Sequence, residues 1–107
     1  MYATIRRYRV SADAMDELLH EVDGDFAESI QQMEGFIAYE CLDCGDGTLV
    51  TISTFRDREG AEASTEAAAA WVRDKISSRI AIERVEALTG EIAVSRAREA
   101  LLEPTHR

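Results

Sequence analysis

The chain has little of what most catalytic and metal sites are built from. Its 107 residues include two histidines, two cysteines, one proline and one tryptophan. No Ser-His-Asp order and no glycine-rich phosphate loop is present. No apolar run is long enough to span a bilayer, which argues against a membrane protein. The first ten residues, MYATIRRYRV, lack the apolar stretch of a signal peptide, so a cytoplasmic protein is expected. Positive charge is also short: 12 Lys and Arg against 21 Asp and Glu give a net charge of −9. A phosphate backbone or an anionic membrane would be repelled on average. The one basic run, Arg6-Arg7-Tyr8-Arg9, lies in a strand pattern, where alternation sends Arg6 to one face and Arg7 and Arg9 to the other. It reads as solvated strand arginines, with no nucleic-acid partner.

What is present fits one globular domain: 46% hydrophobic and 31% charged residues, without repeats or low-complexity segments. Tyr2 to Val10 is rich in β-branched and aromatic residues and predicts a strand. Met15, Leu18, Leu19, Val22, Phe26, Ile30 and Met33 then recur at helical spacing, with Ser11 or Asp13 as cap and an acidic outer face. Gly24 is the weak point of that helix and marks a bend. Gly35 closes it. Residues 36–44 and 48–56 predict two strands joined at Gly45-Asp46-Gly47, the strongest turn signal in the chain. Asp57 caps a second helix over 58–78, whose inward face carries Ala61, Ser64, Ala68, Trp71, Val72 and Ile76. Residues 80–94 predict a last strand, with a kink or bulge at Thr89-Gly90. The fold class is therefore α+β: a ferredoxin-like β-α-β-β-α-β order with an antiparallel sheet and both helices on one face. The domain spans 1–95, and 96–107 is a tail or a short helix.

The stretch CLDCGDG at 41–47 raises the question of a thiol site. Residues three apart on a strand point to opposite faces, so Cys41 and Cys44 do not converge on one ion. A structural zinc site needs about four ligands, and beyond these two the chain offers only His20 and His106. Two free thiols and no metal are expected. His20 reads as a partly exposed helical histidine. Thr51, Ser53 and Thr54 have no base near them in sequence. Tyr8, Tyr39 and Trp71 are consistent with an aromatic pocket between sheet and helices, and equally with ordinary core packing.

YATIRRYRV, then GFIAYECLDCGDGTLVTISTFRD, then REGAEAS followed by a Trp-containing helix together resemble the antibiotic biosynthesis monooxygenase family of dimeric α+β barrels. The likeness runs from about residue 2 to residue 94. It implies a homodimer in which two sheets pack face to face, with each ligand between a sheet and its own helices. Some members oxidise polycyclic phenols to quinones without a cofactor, and others degrade haem. Active branches use a strand asparagine and a helical tryptophan, and haem degraders add a helical histidine. This chain has no asparagine and no histidine in its second helix, while Trp71 lies in the corresponding helix. For quinone formation, Tyr8 and Trp71 with one of Arg6 or Arg84 would supply stacking and charge, with Tyr39 a further ligand-binding candidate; no catalytic residue is assigned.

Two functions follow as expectations. One is a cofactor-free monooxygenase acting on a small aromatic or polyketide-like molecule. The other is a non-catalytic dimeric protein that binds a small hydrophobic molecule. The homodimer is also expected from the strands themselves. Large apolar groups stand at both parities, Phe36 and Leu42 against Ile37 and Tyr39, and Ile82 and Leu88 against Val85 and Ala87. A solvated sheet face would be more consistently polar.

Overall fold

A computed structural model describes residues 1–97. The sequence expectation of a tail or short helix over 96–107 lies, from residue 98 onward, outside the described residues. Four strands, β1 (Tyr2–Val10), β2 (Phe36–Asp43), β3 (Thr48–Phe55) and β4 (Ile82–Glu91), form one antiparallel sheet in the order β2-β3-β1-β4. Helices α1 (Met15–Glu21) and α2 (Ala27–Gln31) are joined without a break by a π-helical turn at Val22–Phe26. Helix α3 (Arg58–Trp71) likewise runs into a π-turn at Val72–Ile76. Both rods cover one face of the sheet, giving the α+β ferredoxin-like fold.

Local chemistry explains the boundaries. The Asp57 side chain accepts a hydrogen bond from the Gly60 amide at 2.9 Å, capping α3. The expected cap of the first helix does not form: neither Ser11 nor Asp13 caps it, and a 3-10 turn over Ala12–Ala14 leads into it instead. Gly24 falls inside the first π-turn, where the widened helix supplies the expected irregularity. In the β2–β3 turn, Gly45, Asp46 and Gly47 all have positive φ. Gly47 is fixed twice over, because a Cβ there would collide with the Val10 carbonyl, while Val10 N–H donates to the Gly47 carbonyl at 2.8 Å.

Two bulges correct the simple alternation read from the sequence. The β2–β3 register slips between Phe36 and Ala38, so Phe36 and Tyr39 share the helix-facing side while Leu42 faces away. The β1–β4 register slips between Arg7 and Tyr8, opposite Val85, and not at Thr89-Gly90. Ile82, Arg84, Ala87 and Thr89 thus stand on the same side as Val10, Tyr8, Arg6 and Thr4. The core lies between that side and the helices, with Tyr8, Leu18, Val22, Leu49 and Ile76 in one cluster and Phe26, Ile30, Phe55 and Ala61 in another. Among the described residues, no helix covers the opposite face of the sheet. Ile5 is 43% exposed there and Leu88 59%.

Candidate functional site

Arg6 rises from the middle of β1 into the layer between sheet and helices and is completely buried. That overturns the reading of the basic run as solvated: the parity separating Arg6 from Arg7 and Arg9 places it on the core side. Its Nη1 donates to Ser64 Oγ (3.0 Å) and Thr65 Oγ1 (3.1 Å) on α3, and its Nη2 to Ser53 Oγ (2.6 Å) on β3. All three partners are neutral hydroxyls. Among the described residues, ion pairs form at Arg7, Arg9, Arg58, Arg73, Lys75 and Arg79, but no carboxylate reaches Arg6. Ser64 is held in turn, its hydroxyl donating to the Ala61 carbonyl at 2.6 Å. Burial holds the Arg6 guanidinium below its ordinary pKa, partly offset by nearby Tyr8 and Tyr39.

The seat has two open hydrogen-bonding positions. Arg6 Nε and Thr51 Oγ1 are both buried and have no protein partner. The two residues face one another across the β1–β3 ladder and line the same cavity. Buried polar groups are nearly always satisfied, so an adjacent pair without partners calls for an explanation.

The rest of the cavity wall is apolar and aromatic, with Tyr8, Phe26, Tyr39 and Trp71 as its aromatic side chains. Phe26 stands edge-on to Tyr39, with ring centroids 5.6 Å apart, and lies 5.4 Å from Trp71. Trp71 is half-buried at the seam between the helices; its Nε1–H donates to Asp25 at 2.8 Å, and Lys75 reaches the same carboxylate at 3.1 Å. The indole N–H is therefore occupied, which leaves the ring surface to face the cavity. Burial raises the pKa of Tyr8 and Tyr39, and pushes the Cys41 thiol beside them up to about 11. All three therefore keep their protons near pH 7.

The free space at the seat is about 20 Å3, enough for roughly one water-sized group. An outer groove of about 860 Å3 lies between the first helical rod and edge strand β2, lined by Asp16, Leu19, His20, Asp23, Glu40 and Cys41 among others. It shares Val22 and Tyr39 with the inner cavity, so those two side chains form the partition.

Of the residues singled out from the sequence, Arg6, Tyr8, Tyr39 and Trp71 line one cavity. Arg84 does not: it is exposed on β4, on the same side as Tyr8, near enough for its charge to act on both Tyr8 and Arg6. His20 is exposed on the wall of the outer groove. Cys41 is half-buried beside Tyr39, and Cys44 is exposed where β2 ends. The sequence reading placed Ser64 on the inward face of the second helix without a role at the site, and passed over Thr65 and Asp25. The signal for Ser53 and Thr51 was available, since two hydroxyls share the parity of Leu49 and Phe55 in a strand otherwise suited to the core.

A family model described as antibiotic biosynthesis monooxygenase matches residues 1–73. No curated protein matches the chain in sequence. Solved structures share the fold. HapK from Hahella chejuensis is 18% identical with a TM-score of 0.68, covering 92% of this chain and 100% of its own. The heme-degrader MhuD from Mycobacterium tuberculosis, solved with two hemes in its active site, is 16% identical with a TM-score of 0.69, over 91% and 100%. A monooxygenase from the ActVA-Orf6 gene of Streptomyces coelicolor, in complex with Nanaomycin D, is 19% identical with a TM-score of 0.60, over 90% and 92%.

Proposed function

We propose that this chain, which belongs to the antibiotic biosynthesis monooxygenase family, is a cofactor-independent oxygenase acting on a small aromatic or polyketide-like phenol. The observation that carries the reading is Arg6: a buried cation with no carboxylate, beside open hydrogen-bonding positions, under an aromatic wall. Burying a charge without a counter-charge costs several kcal/mol. An anionic ligand oxygen would offset that cost, and the rings would stack on its aromatic body.

For an anthrone-type substrate the chemistry balances without a cofactor. The substrate anion gives electrons to dioxygen, and a carbon–oxygen bond forms at the methylene carbon. The oxygen–oxygen bond then breaks, the carbon becomes a carbonyl, and the second oxygen leaves as water with the two methylene hydrogens. Four electrons leave the substrate and four reduce dioxygen. Arg6 would hold the negative charge while the bond forms. Tyr8 and Tyr39 would donate hydrogen bonds, and Trp71 would hold the ring plane. Arg84 would stand at the rim.

The residues present do not fit haem. Among the described residues, no histidine or cysteine lines the inner cavity, and the groove that offers His20 carries Asp16, Asp23 and Glu40, which would repel the propionates.

The second reading, a small-molecule-binding protein without catalysis, is favoured by one observation: among the described residues the cavity lining contains no carboxylate or histidine to act as a base. Oxygen uptake with anthrone-type phenols separates the two. Uptake that is lost in Arg6→Met and reduced in Trp71→Phe and Tyr8→Phe supports the oxygenase. Uptake that survives all three removes the site assignment, and none with any phenol leaves the binding protein.

The proposal includes a homodimer joined through the helix-free face of the sheet. Ile5, Leu42, Val85 and Leu88 are exposed large apolar residues on the strands, and such patches are uncommon on monomers. Arg7–Glu86 and Arg9–Glu83 pair on the same sheet and would lie toward the rim. Sedimentation at micromolar concentration should give about twice the 11.9 kDa chain mass. The chain mass itself would remove this part.

A further inference from the structure

Trp71 forms part of the cavity wall, and little on its own helix fixes it. A helical side chain leans back over the preceding turn, which here offers only Ala67 and Ala68. Their methyl groups leave the indole room to turn. It packs against both core clusters and so spans the gap between them, with Phe26 of the first rod tilted at 44° to it. The directional restraint is a hydrogen bond: Nε1–H donates to Asp25 Oδ2 at 2.8 Å. Lys75, four residues on from Trp71, donates to the same oxygen at 3.1 Å, so one rod grips the carboxylate twice. Those bonds, Trp71 first, hold the Asp25 carboxyl below its ordinary pKa and keep it an acceptor at neutral pH. Asp25 lies in the π-turn Val22–Phe26, and Trp71 leads directly into the other at Val72–Ile76. Val22, Phe26 and Val72 of these turns line the cavity as well, and such turns are frequent at functional sites.

Resting on the reading of this cavity as a phenol site, we infer that Asp25 is a positioning residue: it lies outside the cavity and holds the face of Trp71 in the plane on which an aromatic ligand stacks. The indole N–H is turned to the seam between the rods and withheld from the ligand, so Trp71 contributes its π-face alone. Stability is a poor reason for the arrangement. Asp25 and Lys75 are 41% and 59% exposed, and exposed ion pairs contribute little. A second clamp, Arg79 on Glu17 and Glu21, joins the same two rods and shares no hydrogen bond with Trp71. Loosening of the rods can therefore be separated from loosening of the indole.

The test is time-resolved fluorescence anisotropy of the full chain, where Trp71, the single tryptophan, is the only indole that emits. Asp25→Ala should raise the amplitude of the fast local decay about twofold or more. Asp25→Asn, whose carbonyl still accepts the indole N–H, should restore most of the slow component. Arg79→Gln loosens the same rods and should leave the decay as in the wild type. In oxygen uptake with dithranol, an anthrone-type phenol, Asp25→Ala should lower kcat about tenfold while KM moves less than about threefold, and Asp25→Asn should keep most of the rate. A wild-type decay in Asp25→Ala, an equal change in Arg79→Gln, or an unchanged kcat would overturn the inference. So would Asp25→Asn behaving as Asp25→Ala, which would make the charge and not the acceptor the requirement. If the wild type takes up no oxygen, the oxygenase reading falls, and affinity for dithranol, read by quenching of Trp71, decides in its place. A severalfold loss in Asp25→Ala that Asp25→Asn restores keeps the positioning role; equal affinity in all three proteins, or no binding, removes it.

Discussion

Arg6→Met tests whether the guanidinium is kept for something other than stability. The change removes a fully buried charge and fills nearly the same volume with apolar atoms. Replacing buried ionic groups by hydrophobic ones of similar size is typically neutral or stabilising by about 1–4 kcal/mol. Against this stand the hydroxyls that lose their donor. Ser64 still donates to the Ala61 carbonyl, and Thr65 is half-buried and reaches water. Ser53 alone becomes a buried orphan, at about 1–3 kcal/mol. The two effects should cancel to within about 2 kcal/mol. The sharper signature is the behaviour of Ser53→Ala in two backgrounds. With Arg6 present it deletes a hydrogen bond to a charged group and should cost about 1.5–3 kcal/mol. With methionine at position 6 it removes the orphan and should restore about 1–2 kcal/mol. Urea unfolding of the wild type, both single variants and the double variant gives the cycle, provided the denaturant slope is unchanged. A cost of the same sign and size in both backgrounds would refute the argument, as would a loss beyond about 4 kcal/mol for Arg6→Met alone.

Trp71→Phe keeps an aromatic ring against Phe26 but deletes the Nε1–H bond to Asp25, and thermal unfolding should report a loss of about 1 kcal/mol; no change would mean that the bond between the helices contributes nothing. Because the folded-state pKa of Cys41 is raised to about 11, mainly by desolvation, the unfolded chain loses its thiol proton first. Stability should therefore fall as pH rises from about 9 toward 11, and Cys41→Ala should flatten that fall in a pH series of urea midpoints. An unchanged slope would contradict it. Gly47→Ala meets both a positive φ and the Val10 carbonyl, and should cost at least about 1–3 kcal/mol; a shift in urea midpoint near zero would mean the turn relaxes freely.

The order of elements was legible because local signals agree with the fold. Strand parity separated Arg6 from Arg7 and Arg9, Gly45-Asp46-Gly47 announced the hairpin, and the spacing from Met15 to Met33 announced one rod. Parity stopped working at Ile37 and Val85, where a bulge adds one residue and turns over every face assignment beyond it. No local pattern marks either bulge, since each exists to keep two strands in register across the sheet. The π-turns were hidden for a related reason: widening a helix by one residue per turn leaves its apolar spacing almost intact. At the site, the sequence supplied the aromatic residues, but the partners of Arg6 come from β3 and α3, 47 to 59 positions away. Their meeting is a product of the fold. That meeting breaks the rule the rest of the core obeys, because a charge lies where an aliphatic side chain would pack at no cost. Sequences that otherwise agree with their structures tend to break such rules where they bind or react. Thr51 sharpens the point. A valine would fill its place in the strand, yet the chain keeps a buried hydroxyl with no protein partner beside a buried N–H in the same condition. One oxygen atom in the roughly water-sized space beside them, from a water or from a ligand, answers both costs at once, which no packing argument does.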